Sequence, residues 1–141
     1  MQYTCEIEVK TPVQKLAKLI SSPDFIDKRM KGVKSYRLTQ GASGEKESQH
    51  EIKFRWETVT ETIVDLDLPI SCQICYESNF VTNHVKNQFI ALSDSQSKLI
   101  SEQTFQFKAL MKWIKFLIPS SAFKKGSQKH LEYLKSVLES A

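Results

Sequence analysis

Glycine and proline are scarce in this chain, with 4 of each in 141 residues. That excludes a collagen-like protein and argues against a disordered one. Long apolar runs are missing too, and none approaches the ~20 residues that cross a bilayer. Cysteine is rare and odd in number. Cys5, Cys72 and Cys75 all lie in strand-like segments, so a disulfide framework is not expected and a reduced, cytoplasmic setting is. Residues 1–10 alternate Glu and Lys with apolar side chains and contain no apolar signal core, which argues against secretion. There is no phosphate-cradling glycine loop, no nucleophile elbow and no clustered metal ligands. No cofactor or metal is therefore expected.

What is present suits a single domain covering residues 1–141. Hydrophobic content is 40% and charged content 26%, ordinary for a globular chain. A chain of this size buries roughly 70% of its unfolded surface. The formal net charge is +4, unevenly spread. Between residues 108 and 135 seven lysines (108, 112, 115, 124, 125, 129, 135) face one acid, Glu132. Such a segment is either a solvated helix face or an attractor for an anionic surface or ligand.

Periodicity sets the element order. Tyr3, Cys5, Ile7 and Val9 alternate with polar residues, the mark of a strand with one buried face. Thr11-Pro12-Val13-Gln14 starts a helix, with Thr11 as cap, Pro12 at the first position and Gln14 completing a capping box. Its apolar stripe is Val13, Leu16, Ala17 and Ile20. Ser22-Pro23 opens a second short helix carrying Phe25, Ile26 and Met30, and Gly32 marks its end. Strands follow near 33–40, 50–57, 58–66, 71–77, 80–92 and 99–108. Residues 41–44 form a flexible hairpin loop. The turn near Trp56 carries neither Gly nor Pro, so its position is open. One long helix closes the chain over about 120–139, with Phe123, Ser127, Leu131, Leu134 and Leu138 inward and His130 at the border. Gly126 inside it costs about 1 kcal/mol relative to Ala. It serves either close packing on a strand or open space beside Phe123.

Residues 109–118 are mostly apolar, with Lys108, Lys112 and Lys115 along one helical edge. A buried connector is the leading expectation. A lid over a pocket mouth, or a membrane-surface patch built on Trp113, Phe116 and the lysines, is the alternative. Those residues imitate a nucleic-acid surface but read better as a packed amphipathic segment, so no nucleic acid is expected.

Several polar residues share strand parity with apolar ones. His50 aligns with Ile52, Phe54 and Trp56, Asn83 and Asn87 with Val81, Val85 and Phe89, and Ser101 and Gln103 with Leu99, Phe105 and Phe107. An apolar cavity carrying a few polar groups is the usual small-molecule site. The candidate ligand contacts are Phe54, Trp56, Phe105, Phe107, Phe123 and Gly126 for apolar contact and space, with His50, Asn83, Gln103 and His130 for a polar end. Cys72 and Cys75, three apart in a strand, point to opposite faces and make a weak metal or redox motif. Glu61 and Asp65 share a strand face at spacing four, read as solvated. His50 and His130 are the one conceivable acid–base pair, and only if geometry brings them together. His84 is expected to be exposed.

This layout resembles the helix-grip fold of the START-related superfamily, also known as SRPBCC or polyketide cyclase/dehydratase-like, which includes the major birch-pollen allergen type. The resemblance spans the chain. It is carried by Ile7-Glu8-Val9-Lys10-Thr11-Pro12, by Ser101-Glu102-Gln103-Thr104-Phe105-Gln106-Phe107 leading into Leu110-Met111-Lys112, and by Pro119-Ser120-Ser121-Ala122-Phe123-Lys124-Lys125-Gly126-Ser127-Gln128, which looks like bacterial members. The resemblance implies an α+β protein. A seven-stranded antiparallel sheet wraps a long C-terminal helix, with two short helices between strands 1 and 2. Members bind lipids, sterols, hormones or polyketides, some catalyse cyclisation or dehydration, and others are interaction modules. The expectation is a monomer that binds a hydrophobic or amphipathic small molecule. A cyclase or dehydratase, or an interaction or membrane-surface module, is the alternative.

Overall fold

The computed structural model describes residues 1–140, apart from the side chains of residues 110 and 115. Strand β1 (Gln2–Val9) leads into helix α1 (Val13–Ser21), a 3₁₀ turn (Pro23–Phe25) and the short helix α2 (Ile26–Arg29). Six strands follow: β2 (Ser35–Gln40), β3 (Gln49–Lys53), β4 (Thr58–Asp67), β5 (Ser71–Glu77), β6 (Val81–Ala91) and β7 (Ser97–Phe107). A 3₁₀ turn (Ala109–Met111) and the short helix α3 (Ile114–Leu117) connect to the long helix α4 (Ser120–Glu139). The seven strands form one antiparallel sheet in the order β1-β7-β6-β5-β4-β3-β2. This is the α+β architecture that the resemblance implied.

The stripe read for α1 is buried, with Val13, Leu16, Ala17 and Ile20 all in the core. The expected Thr11 cap is not made. Pro12 is the cap residue and no side chain caps the helix. Thr11 is instead buried, its carbonyl accepting from the Ser97 hydroxyl at 2.7 Å. The second start signal works as read, since the Ser22 hydroxyl accepts from the Asp24 amide at 3.3 Å and proline follows the cap. In α4, Leu131, Leu134 and Leu138 are buried in one core cluster with residues of β1 and α1. Fully burying each such leucine contributes about 1.5–3 kcal/mol.

Two local features change which side chains face inward. The β4–β5 register shifts between Ile63 and Asp65, because Val64 is an extra residue in the ladder. Before the shift Glu61 opposes Tyr76, and after it Leu66 opposes Cys72 while Asp65 opposes Gln73. Glu61 and Asp65 therefore do not share a face. Asp65 pairs with Lys46 at the surface, and Glu61 is 1% exposed. Strand β3 stops at Lys53, and Phe54 to Glu57 make the turn, closed by the Phe54 amide donating to the Glu57 carbonyl at 2.8 Å. Strand parity therefore ends before Trp56, which is 84% exposed with the Arg55 guanidinium 4.9 Å from its ring centroid.

Segment 109–118 is not a buried connector. Trp113 is 53%, Phe116 82% and Leu117 68% exposed. The places that the sequence pattern assigns to Leu110 and Lys115 fall outside the described side chains.

Candidate functional site

Antiparallel pairing carries inward side chains across the sheet in rows. One row runs Phe105, Asn83, Tyr76, Glu61, His50. The next runs Tyr3, Gln103, Val85, Ile74, Ile63, and a third runs Cys5, Ser101, Asn87, Cys72, Leu66. Each row mixes apolar and polar groups, so the sheet presents a partly polar concave surface to α4. The two do not meet everywhere. They enclose a cavity of about 390 Å³.

Sheet residues Ile52, Val59, Val85, Leu99 and Phe105 give it apolar walls, with Phe54 from the β3–β4 turn, Ile20 from α1, Met30 just after α2, and Leu131 and Leu134 from α4. Asn83, Asn87, Ser101, Gln103 and Ser127 add neutral polar groups, and Arg29, Glu57, Tyr76 and His130 complete the rim and floor. Six of the ten contacts read from sequence line it: Phe54, Asn83, Gln103, Phe105, Gly126 and His130. The other four, His50, Trp56, Phe107 and Phe123, are not part of the lining. Trp56 leaves with the turn. Phe107 and Phe123 stand behind Phe105, with ring centroids 6.4 and 5.9 Å from it. His50 is buried on the correct face, but its ring stacks on Tyr36 at 4.4 Å and its Nε2 bonds the Ser43 hydroxyl at 2.9 Å.

The polar wall is a connected chain. The Tyr3 and Ser127 hydroxyls are 2.6 Å apart. Gln103 Oε1 accepts from Ser127 at 3.5 Å and from Asn83 Nδ2 at 3.4 Å, and Gln103 Nε2 donates to Ser101 at 3.4 Å. Asn83 Oδ1 is buried with no protein partner. Gly126 lines the opening, and a Cβ built there meets nothing within 4 Å. Of the two readings of this glycine, the structure supports open space and not close packing.

Sequence reasoning missed the charged floor. Arg29 and Glu61 are buried and 3.3 Å apart. Arg29 also donates to the carbonyls of Leu19 and Ser22 at 3.1 and 2.8 Å. The Tyr36 hydroxyl donates to Glu61 at 2.5 Å. Burial, then the Glu61 charge, raises the pKa of both Tyr36 and Tyr76, so both phenols stay protonated. Burial pushes His50 below the ordinary histidine value, and Arg29 adds to the shift while Glu61 opposes it. His130 is lowered too, by desolvation of its ring and then by the Arg29 charge. Both imidazoles are therefore neutral at pH 7. Parity offered one signal, since Glu61 alternates inward with Val59 and Ile63. Its partner lies 32 residues away, beyond any local pattern.

Cys72 points inward beside Asn87, and burial pushes its thiol up to about 11, the range of an inert structural cysteine. Cys75 pairs with His84 on the outer face. Among the described residues no group of three or more His, Cys, Asp or Glu could hold a metal ion, and no helix is long and apolar enough to cross a membrane.

A curved antiparallel sheet gripping one long helix over a cavity defines the helix-grip class. No protein-family model and no curated protein matches this chain. Solved structures do. Ara h 8.0201 superimposes with a TM-score of 0.75 at 16% identity over 100% of this chain and 99% of its own. A START superfamily protein from Mycobacterium smegmatis gives 0.72 at 12% identity over 99% and 94%. Norcoclaurine synthase from Thalictrum flavum, in complex with dopamine and hydroxybenzaldehyde, gives 0.68 at 14% identity over 99% and 87%. The chain therefore has the helix-grip fold of these structures, a START superfamily protein among them.

Proposed function

We propose that this protein binds a hydrophobic or amphipathic small molecule, of the lipid or polyketide kind, between sheet and C-terminal helix. The observation that carries the reading is the cavity of about 390 Å³, apolar on most walls and polar along one. That composition and size are those of ligand sites generally. The helix-grip neighbours include an enzyme crystallised with two aromatic molecules, so the fold accommodates such ligands elsewhere. A cyclase or dehydratase has less support here. Its acid–base pair would be His50 and His130, and of these only His130 lines the cavity. Binding is tested with Nile red and with native mass spectrometry of protein taken from its own source. Saturable one-to-one fluorescence, displaced by added lipid and lost in Gly126→Phe, is expected. A Gly126→Phe protein that binds the dye as well as the unaltered one would overturn the cavity as the site.

The exposure of Trp113, Phe116 and Leu117 supports a second surface role. Exposed apolar side chains with the exposed Lys112 next to them in the chain suit the interface of an anionic membrane. We infer that this patch meets such a membrane peripherally. Phosphatidylcholine vesicles with phosphatidylserine should sediment the protein, and the double variant Trp113→Glu, Phe116→Glu should stay in solution. Equal sedimentation of both proteins would remove this reading.

A further inference from the structure

The chemistry of the cavity wall narrows the ligand further. The buried cation of the lining, Arg29, has both terminal nitrogens engaged, and its Nε is buried without a protein partner. Its guanidinium is bridged to Glu61 at 3.3 Å and donates to two backbone carbonyls. A ligand carboxylate placed here would compete with Glu61 for one cation and add a second negative charge in an apolar enclosure. A ligand ammonium would face Arg29 itself. The remaining titratable groups of the lining add no balancing charge inside. Tyr76 is a neutral phenol, His130 is neutral at pH 7, and Glu57 is exposed at the rim. The polar wall is built of amides and hydroxyls. Within it Asn83 and Gln103 each donate one hydrogen bond, while one acceptor, Asn83 Oδ1, is buried without a partner. Buried polar atoms are nearly always paired, by protein, water or ligand. The 3.4 Å bond from Asn83 to Gln103 is long, so a small turn of the amide brings Oδ1 to the cavity at little cost.

We infer that the site selects an uncharged amphiphile whose polar end is a hydroxyl, an aliphatic alcohol or a phenol, donating its hydrogen to Asn83 Oδ1. This rests on the cavity being the binding site. An ether or ketone of the same shape lacks the donor, and a carboxylate lacks the donor and adds a charge.

The experiment is displacement of Nile red by three ligands of equal chain length: a medium-chain primary alcohol, its methyl ether and the matching carboxylate at pH 7.5. The alcohol should bind about tenfold tighter than either of the others, the size of effect one buried hydrogen bond gives. In Asn83→Leu, similar in size, the ratio of alcohol to ether affinity should fall to about one, each read by displacement at that variant's own affinity for Nile red. A carboxylate as tight as the alcohol overturns the inference and leaves the cavity reading standing, and so does an alcohol preference that survives Asn83→Leu. Failure of Nile red and all three ligands to bind the unaltered protein overturns both. The three-ligand comparison on the unaltered protein decides the matter even if the variant does not fold.

Discussion

At the scale of single residues, Arg29 and Glu61 show how a buried charge survives. Neither is tolerable alone at their side-chain exposures of 4% and 2%. Together they are anchored by two carbonyls and a tyrosine hydroxyl. Removing one partner leaves the other desolvated and uncompensated, which costs about 3–5 kcal/mol. Glu61→Ala should lower the urea midpoint accordingly. Asp65→Ala should lower it by less than about 1 kcal/mol, because Asp65 pairs with Lys46 in solvent. Equal losses from the two would show that the bulge at Val64 does not separate their faces. From sequence both carboxylates looked alike. Parity counted from one to the other cannot see an extra residue that alters the count, and Arg29 reaches Glu61 only through the folding of α2 onto the sheet.

At the scale of elements, α4 was legible to its ends, because a 3.6-residue apolar stripe survives any tertiary context that buries it. Gly126 is the place where that helix departs from its own interest. Gly126→Ala should raise stability by about 1 kcal/mol through helix propensity, since the added methyl meets nothing. Nile red affinity should change little with Ala and fall steeply with Phe, which reaches across the opening. A destabilising Gly126→Ala, read by thermal melting, would mean the glycine serves backbone geometry and not space. Segment 109–118 went the other way. Its apolar content suggested a buried connector, yet hydropathy reports what water disfavours and not whether a neighbouring surface is there to cover it. The β3–β4 turn failed similarly. Without Gly or Pro to mark it, Trp56 was assigned inward by parity that the chain abandons after Lys53.

At the scale of the whole molecule, stability should depend on pH through the two histidines with depressed values. The unfolded chain takes up these protons near the ordinary 6.5, before the folded one does. Stability is then full above that pH and falls as pH drops from 6.5 toward the lower folded-state values. His50 carries most of this, being buried, while His130 is partly screened by solvent. Thermal midpoints measured at intervals below pH 7 should decline, and His50→Gln should flatten the decline. An unchanged slope in His50→Gln would show that other groups govern it. Element order, strand parity and the inward helix stripe were written in local periodicity, and with them the helix-grip architecture and most of the polar wall, including Asn83, Gln103 and His130. The enclosed volume, the Arg29–Glu61 floor and the eviction of Trp56, Phe107 and Phe123 from the lining came only with the assembled chain. Periodicity tells a side chain which way to face. How far apart two facing layers stand, and which distant partner neutralises a charge between them, depends on packing across many residues at once.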